Sequence, residues 1–566
     1  MAVKAQDLSV SNHDGPGLPL PALDERGLAE IVEAHARSAP DAPCLEYLGV
    51  SISYGSLDRW ANRFAHVLKE QGVARGDVIG IHMPNTPHYV IALVAASKLG
   101  CPASGVSPLL TAPELAYQVK DAHIRVLVTL DRLYDDALAP NDGALHDLKS
   151  VIVCSPIDFL PRWKKTLAHL LRKVPRFKLP QTRQLALTAF WPAINAASDA
   201  RIASDIHLDD VVLIQYTGGT TGRPKGARLT LRNVQSNALQ SEAMVDYELG
   251  AETFASVFPY FHVAGLGACL MGLRQRGRLI VVPDPRDLKS FCAAMQAYPP
   301  TVFGNVPTLY QMLLAEPAFD QVDFSRLKIA ISGAGPMPPE LIPRIEAVIG
   351  AGRFCEVYGL TETSPVLTMN PLGHAKPGTV GVAVPGTEIR IVDAETGTRE
   401  MPVGEPGELI AHGPQVFGGY LGLPEESARA LREYEGKTFF YTGDIARVDA
   451  DGYFTICDRS KDMLIVGGYK VFSVEVENAL KALPEIEIAA VIGTPDEARA
   501  GNDKVNLYVQ LSETGKTQPT AQVTEKILAY CREHLAAYKV PKAIHIVEAI
   551  PLTPVGKLDK KALRDR

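Results

Sequence analysis

The chain has 566 residues, of which 46% are apolar and 21% are charged, a balance that is ordinary for a globular protein. Such a length accommodates several domains with large buried cores. The formal net charge of −7 argues against nucleic acid as a partner, because nucleic-acid binders carry an excess of basic charge.

The cysteines and the N-terminus both favour a cytoplasmic protein. The eight cysteines are far apart in the sequence and form no CxxC pair, so we expect buried free thiols in a reducing compartment. The first residues lack the apolar segment of a signal peptide. Residues 254–273 contain no Asp, Glu, Lys or Arg, yet Pro259 and His262 favour a loop and a buried helix over a membrane span.

The order of the predicted elements indicates an α/β fold. Residues 1–27 are interpreted as a loose N-terminal arm. Over residues 28–460, helix-like segments such as YGSLDRWANRFAHVLKEQG alternate with strand-like ones such as DVIGIHM, which predicts a large domain of parallel sheets covered by helices. From about 377 to 457 the helices vanish, and a small β subdomain is predicted. Residues 461–566 are predicted to form a small, mobile C-terminal α+β domain.

One segment of the large domain is strongly basic. Residues 159–178 carry seven Lys or Arg and no acidic residue. Its apolar residues recur at helical spacing. They are Trp163, Leu167, Leu170, Leu171 and Val174. Such a basic amphipathic helix is typical of a membrane interface, and a solvated surface helix packed on the core is the alternative.

The segment YTGGTTGRPKG, residues 216–226, is rich in glycine and hydroxyl side chains. Glycines expose backbone N–H groups, threonine hydroxyls donate hydrogen bonds and Lys225 adds a positive charge, which together predict phosphate binding. The usual nucleotide loop has Ser or Thr after its lysine to hold magnesium. Here Pro224 precedes Lys225 and Gly226 follows it, so the geometry must differ.

Four further motifs follow that loop along the chain. They are VYGLTETSP (357–365), YTGDIA (441–446), DRSKDMLIVGGYK (458–470) and PVGKLDKKAL (554–563). Together the five motifs resemble the signature motifs of the adenylate-forming superfamily, which contains acyl-CoA synthetases, nonribosomal-peptide adenylation domains and beetle luciferases. The resemblance covers about residues 30–564. Residues 283–314 and the segment FSRLKIAISGAGPMP are most similar to bacterial long-chain fatty acid–CoA ligases.

The resemblance implies a ligase that joins a carboxylate to the α-phosphate of ATP, releases pyrophosphate and then transfers the acyl group to coenzyme A. The expected co-substrates are therefore ATP and coenzyme A, with Mg²⁺ as the metal and a fatty acid as the substrate. Because both reactants of the first step are anionic, the site must supply positive charge and oriented donors.

The resemblance also implies the nucleotide and catalytic residues. Tyr358 is expected to stack on adenine, Asp444 and Arg459 to hydrogen-bond the ribose, and Lys557 to bridge the carboxylate and the α-phosphate. The expected catalytic residues are Lys557, Lys225, Thr361 and His262. The expected ATP- and AMP-binding residues are Thr217, Gly218, Gly219, Thr220, Thr221, Gly222, Lys225, Gly333, Ala334, Gly335, Glu356, Val357, Tyr358, Gly359, Leu360, Thr361, Asp444, Arg459, Lys461, Lys470 and Lys557.

The same resemblance implies the metal, acceptor and acyl sites. Glu362 and Thr217 are expected to hold Mg²⁺ through oxygen atoms. Lys461 is expected to be the hinge about which the C-terminal domain swings, and Gly467 and Gly468 are expected to meet coenzyme A. The expected acyl pocket comprises His262, Val263, Ala264, Gly265, Val306, Thr363, Pro365 and Val366.

The small and apolar side chains of that pocket favour an alkyl chain, although aryl and medium-chain acids also fit. An acyl-AMP ligase that loads a carrier protein is a further alternative, and luciferase-like oxygenation is disfavoured. Lys470 departs from the family pattern, which has an aromatic residue, Asn or Gln there, so its role is open. We expect a homodimer or a monomer in the cytoplasm, peripheral at the inner face of the membrane if residues 159–178 bind lipid.

Overall fold

The structure is a computed structural model that describes residues 22–140, 145, 148–171, 179, 185–217, 223–466, 469–496, 502–552 and 558–564. The expected N-terminal arm lies outside this part up to residue 21, and residues 22–27 form neither helix nor strand. The fold is α/β, as predicted, with a large domain of parallel sheets, a β subdomain and a small C-terminal α+β domain. The exact boundaries of these units stay a prediction.

The first sheet of the large domain is parallel except at one edge, where its last two strands form an antiparallel pair. Its strand VIGIH is buried along its whole length, as expected for a parallel strand covered by helices on both faces. In spatial order the strands are β7 (Ala186–Ala189), β6 (Ser150–Cys154), β5 (Ile124–Leu130), β3 (Val78–His82), β4 (Ala103–Val106), β8 (Val211–Thr217) and β9 (Lys225–Thr230).

The second sheet is parallel in its centre and antiparallel at both edges. Its parallel centre agrees with the predicted domain of parallel sheets. In spatial order the strands are β16 (Val382–Ala383), β15 (Val366–Met369), β14 (Phe354–Gly359), β13 (Ile329–Ser332), β12 (Val302–Asn305), β10 (Thr253–Ser256), β11 (Arg278–Ile280), β1 (Pro43–Tyr47) and β2 (Val50–Ser53).

Helices cover both sheets of the large domain. The predicted amphipathic helix at residue 54 is present and is capped by Ser53, whose hydroxyl accepts the N–H of Ser56. The helices are α1 (Leu28–Ser38), α2 (Tyr54–Glu70), α3 (Pro87–Leu99), α4 (Ala112–Asp121), α5 (Asp131–Leu133), α6 (Arg162–Leu170), α7 (Phe190–Ala196), α8 (Leu231–Met244), α9 (Val263–Arg274), α10 (Leu288–Ala297), α11 (Pro307–Leu313) and α12 (Ile342–Ile349).

The charge-free segment 254–273 forms the end of β10, a loop and most of α9, as predicted. Val263 and Leu266 of this helix belong to the main core cluster, which also contains side chains of α2 and α3. Within the described residues, no helix is both long and apolar enough to cross a bilayer.

The β subdomain is an antiparallel sheet, but the prediction that helices vanish between 377 and 457 is wrong. A short helix, α13 (Pro424–Ala430), begins with proline and places Glu425 and Glu426 in its first turn, where acidic side chains favour a helix start. It buries none of its side chains, so no hydrophobic periodicity indicated it. The strands are β17 (Glu388–Val392), β18 (Gly407–His412), β19 (Leu431–Tyr434), β20 (Lys437–Val448) and β21 (Phe454–Arg459).

The C-terminal domain has its own core of residues such as Leu464, Val476 and Val509. The strands and helices of this region agree with the predicted α+β domain. They are β22 (Leu464–Val466), β23 (Tyr469–Val471), α14 (Ser473–Leu480), β24 (Ile486–Pro495), β25 (Asp503–Leu511), α15 (Glu513–Lys516), α16 (Thr520–His534), β26 (Ala543–Val547) and α17 (Lys560–Arg564).

Candidate active site

A cavity of about 1120 Å³ lies at the carboxyl ends of the parallel strands of the second sheet. Ser256, Gly304 and Gly333 from these strand ends line it, Thr442 of the β subdomain lines a second side, and Lys560 of α17 lines a third. Ligands of open α/β sheets bind at this edge. The cavity therefore brings the large domain, the β subdomain and the C-terminal segment together around one space.

Lys225 lies at the base of the glycine-rich loop. Thr217 ends β8 and pairs with Lys225 at the start of β9, and both line the cavity. The Lys225 Nζ lies 2.5 Å from Glu426 Oε2 on α13 and 5.1 Å from the ring centroid of Tyr420. The loop residues Gly218, Gly219, Thr220, Thr221 and Gly222 lie outside the described residues. Lys225 thus presents its charge to the cavity, balanced by a carboxylate from the β subdomain.

Glu362 offers a buried carboxylate to the same cavity. It lies in a 3₁₀ turn, Thr361–Thr363, directly after β14, and the Tyr420 hydroxyl donates to Glu362 Oε1 at 2.8 Å. Burial raises the pKa of Glu362 above its usual value, because desolvation disfavours the charged form. Carboxylate and hydroxyl oxygens suit Mg²⁺, so Glu362 and Thr217 fit the expected metal. No group of three or more His, Cys, Asp or Glu side chains that could hold a metal ion occurs in the described residues.

Asp444 and Arg459 are neighbours across the β20–β21 pair. The Arg459 Nε lies 2.7 Å from Asp444 Oδ1, and the Tyr358 hydroxyl donates to Asp444 Oδ2 at 2.6 Å. Tyr358 and Arg459 line the cavity beside Gly333 and Ala334, and Ala334 has a left-handed φ of 65°. The structure thus joins the expected adenine and ribose residues in one hydrogen-bonded group.

Some of the other residues expected to bind the nucleotide line the cavity wall, and others do not. On the wall are Val357, Gly359, Leu360 and Thr361. Gly335, Glu356 and Lys470 are not on the wall, and Lys470 is exposed on β23. The buried Glu356 carboxyl accepts the N–H groups of Met337 and Gly378, and burial raises its pKa to about 7. Direct nucleotide contact by these three residues stays a prediction.

The apolar end of the cavity lies between the second sheet and helices α8 and α9. Helix α9 offers Ala264, Gly267 and Ala268, whose small side chains leave space, and His262 caps this helix by accepting the Ala264 N–H at 3.3 Å. Of the expected acyl residues, His262, Val263, Ala264, Pro365 and Val366 line the cavity.

Three expected acyl residues lie behind the wall. Gly265 packs so closely that a Cβ there would lie 2.2 Å from the Pro259 carbonyl oxygen, so only glycine fits. Thr363 is fully buried and donates to the Pro365 carbonyl at 2.6 Å, and Val306 packs against a separate core cluster. These three residues do not line the cavity, and their direct contact with an acyl group stays a prediction.

Helix α8 contributes residues to the apolar end of the cavity that the sequence did not single out. Their spacing of three and four residues puts them on one helical face, a signal that core packing also produces. They are Val234, Asn237, Ala238 and Ser241, followed by Val245. The Asn237 amide is saturated, because it bonds Val366 twice and donates to Gln240. It therefore joins α8 to the wall without offering a free donor to a ligand.

The C-terminal domain closes the polar end of the cavity. Lys461 lines it, and burial lowers the pKa of Lys461 to about 8. Arg564 pairs with Asp462, and the Lys560 Nζ lies 2.7 Å from Glu477 Oε1. Lys557, Gly467 and Gly468 lie outside the described residues, while Leu558, the neighbour of Lys557, lines the cavity.

Comparison with known families agrees with this geometry. Residues 32–421 match the AMP-binding enzyme family, and residues 475–557 match the C-terminal domain of AMP-binding enzymes. The chain belongs to the AMP-binding enzyme family.

Curated relatives extend the similarity over nearly the full length. This AMP-binding enzyme is 34% identical to a long-chain-fatty-acid–CoA ligase of Bacillus subtilis over 96% of the chain and 95% of the relative. It is 32% identical to a feruloyl-CoA synthase of an Amycolatopsis species, over 96% of the chain and all of the relative. The names of these two relatives refer to different acid substrates.

Solved structures share the whole architecture. The anthranilate CoA ligase AuaEII in complex with anthranoyl-AMP superposes with a TM-score of 0.82 at 26% identity, covering 96% of this chain and 98% of the other. ATP-bound MatB from Rhodopseudomonas palustris superposes with a TM-score of 0.78 at 29% identity, covering 95% and 98%. These two neighbours thus bind an acyl-adenylate and ATP, which supports the use of ATP by this family.

Proposed function

We propose that this AMP-binding enzyme is an ATP-dependent fatty acid–CoA ligase that acts in two steps. In the first, a carboxylate oxygen of the acid attacks the α-phosphorus of ATP, and the bond to pyrophosphate breaks. In the second, the sulfur of coenzyme A attacks the acyl carbon, and AMP leaves with the bridging oxygen. The observation that carries the proposal is a single cavity with a cationic, hydroxyl-rich end and an apolar end.

The polar end supplies what the first step needs. Lys225 and the glycine-rich loop bind the β- and γ-phosphates, Asp444 and Arg459 bind the ribose, and Lys557 neutralises charge between the carboxylate and the α-phosphate. Positive charge aimed at developing negative charge is an effective way to lower such a barrier. The bond between Asp444 and Tyr358 supports this assignment, because it fixes the carboxylate before a ribose arrives.

Magnesium is the metal that this end fits. Glu362 and Thr217 would hold it, and the metal would neutralise phosphate charge. The Tyr420 hydroxyl orients the Glu362 carboxylate by donating to one of its oxygens, which leaves the other oxygen for the cation.

The apolar end supports a fatty acid as the substrate. One face of α8 lines the cavity from Val234 to Val245, a length of about 16 Å at the helical rise. The opposite side is formed by strand residues that include Phe254 and Val302 at the strand starts and Gly304 farther along. A channel that follows both elements suits an extended alkyl chain.

Aryl acids are the second candidate, because Tyr247 at this end faces the cavity and packs on Phe254 with ring centroids 6.0 Å apart. An aromatic floor accommodates a planar acid as well as a methylene chain.

A panel of acids separates the two candidates. We expect kcat/KM for CoA thioester formation to rise from hexanoate to palmitate and to be lower for ferulate and benzoate. Ala268→Phe, which fills the channel, should reduce the value for palmitate far more than for hexanoate, so the short acid is the internal control. Higher kcat/KM for ferulate than for every alkyl acid would assign the enzyme to aryl acids.

We also propose that the C-terminal domain swings about Lys461 between the two steps. Adenylation needs Lys557 at the α-phosphate, whereas thioester formation needs room for coenzyme A, here beside Gly467 and Gly468. Lys461 lies in the short turn that follows β21, where a few backbone dihedrals could absorb a domain rotation.

We further propose that α6 and the β1–β2 turn form a membrane-docking surface. Helix α6 exposes Trp163 (64%) and Leu170 (76%), with Leu167 between them, and Leu171 follows the helix (56% exposed). Leu48 in the β1–β2 turn is 48% exposed with a left-handed φ of 49°, and the ammonium of Lys164 lies beside the next residue of that turn. Apolar side chains among basic ones suit an anionic lipid surface. Residues 172–178 of the basic segment lie outside the described residues.

A further inference from the structure

Glu426 links the β subdomain to the lysine of the glycine-rich loop. Its Oε2 lies 2.5 Å from Lys225 Nζ, and its Oε1 accepts a hydrogen bond from Arg429 Nη1 at 2.8 Å. One carboxylate thus bridges two cationic side chains, as a phosphate group can. Lys225 holds the pKa of Glu426 below its usual value, so the carboxyl is ionised at neutral pH.

This ion pair is built into the fold rather than left to two mobile side chains. The segment before α13 is tied to the strand that carries Lys225, because the Leu421 N–H donates to the Gly226 carbonyl at 2.8 Å. The Arg228 N–H donates to the Gly419 carbonyl at 3.1 Å. These backbone bonds therefore place α13, and with it Glu426, beside Lys225.

Glu426 pairs with the Lys225 ammonium, the group that a bound phosphate would contact. Lys225 and Glu426 both line the cavity, as does Arg429. In the described part of the chain, Lys225 forms no ion pair other than the one with Glu426. A phosphate that binds Lys225 therefore competes for this ammonium with a carboxylate tethered on a neighbouring helix, and that carboxylate is available again when the phosphate leaves.

We propose that Glu426 is an internal competitor of pyrophosphate at Lys225, which returns to the lysine as pyrophosphate departs and so weakens its rebinding. The inference rests on the proposed adenylation reaction, in which pyrophosphate is the first product. Weak rebinding favours the forward direction, because adenylation is reversed by pyrophosphate. Arg429 holds Glu426 beside Lys225. When a phosphate replaces the Glu426 carboxylate at Lys225, the Arg429 guanidinium also becomes available to the phosphate.

The test compares Glu426→Gln with a matched control, Glu425→Gln, on the same helix. Glu425 is 88% exposed, and among the described residues its one ion pair is with Arg429, at 3.8 Å, so it controls for the general loss of one negative charge. Pyrophosphate binding to the free enzyme by calorimetry and product inhibition by pyrophosphate are the two readouts. We expect the Kd of pyrophosphate to fall about two- to fivefold in Glu426→Gln, the range of an exposed ion pair, and to stay unchanged in Glu425→Gln.

Each outcome decides the proposal. Equal Kd in the wild type and Glu426→Gln, equal tightening in both variants, or weaker binding in Glu426→Gln would overturn it. Damage to the fold does not tighten ligand binding, and Glu426→Ala should show the same gain if the amide of Gln perturbs α13. The wild type also serves as the control for the reaction. Absence of fatty-acid-dependent ATP–pyrophosphate exchange there would reject the proposed function itself, whereas normal exchange with an unchanged Kd rejects only the role of Glu426.

Discussion

Single charged residues decide how the polar end of the cavity works. Glu362 is buried, accepts one hydrogen bond from Tyr420 and has a raised pKa, so it gains most from a cation. Glu362→Gln should raise the Mg²⁺ concentration for half-maximal ATP–pyrophosphate exchange by about tenfold or more, because a neutral amide is a poor ligand for a hard cation. Glu408→Gln, which alters another cavity carboxyl, is the control. The same Mg²⁺ dependence in both variants would remove Glu362 from the metal site.

Glu356 makes stability depend on pH. Burial raises its folded pKa to about 7 from 4.5, so between these values the folded state holds a proton that the unfolded chain releases. The free energy of unfolding should therefore fall as pH rises through this window, by on the order of 3 kcal/mol, and the penalty is fully present above pH 7. Glu356→Gln should remove this dependence, whereas the exposed Glu340→Gln should keep it. Denaturant unfolding at pH 5 and pH 8 measures the difference, and parallel curves for wild type and Glu356→Gln would contradict the assignment.

At the scale of elements, local sequence patterns predicted helices and strands well, but they did not predict contacts between distant segments. The alternation of helix-like and strand-like segments predicted the parallel sheets and α2, and the motif YTGDIA lies on β20, the strand that pairs with the strand of Arg459. No pattern linked Lys225 to Glu426, which are 201 residues apart, because only the folded β subdomain brings them together. The pocket face of α8 was visible as helical spacing, but the same spacing fits an ordinary core helix, and α13 buries nothing that a periodicity could reveal.

The membrane-docking surface is tested at the same scale. The double variant Trp163→Ala and Leu170→Ala should bind anionic vesicles about tenfold more weakly, because insertion of apolar side chains drives such binding. High salt should weaken the wild type as well. Leu249→Ala removes another exposed leucine, 55% exposed in a loop, and should behave like the wild type in vesicle flotation. Equal flotation of the double variant and the wild type would show that α6 is a solvated surface helix.

At the scale of the whole molecule, the proposed hinge at Lys461 predicts that the two half-reactions can be separated by mutation. Among the described residues, the Lys461 backbone N–H donates no hydrogen bond, so proline there costs none and only fixes φ near −65°. Lys461→Pro should keep ATP–pyrophosphate exchange largely intact and slow acyl transfer to coenzyme A strongly. Lys461→Ala, which removes the side chain but keeps backbone freedom, is the control and should retain transfer. Full acyl-CoA turnover in Lys461→Pro, or a loss confined to exchange, would exclude a swing at this residue.

The most direct test of the two-step reaction follows the oxygen atoms of the acid. Palmitate labelled with ¹⁸O in both carboxylate oxygens is incubated with the enzyme, ATP, Mg²⁺ and coenzyme A, and the nucleotide product is analysed by mass spectrometry. Because the carboxylate oxygen that attacks the α-phosphorus stays on phosphorus when the thiol displaces AMP, the account predicts AMP that carries one ¹⁸O atom. Formation of ADP with labelled inorganic phosphate, or AMP without label, would contradict it.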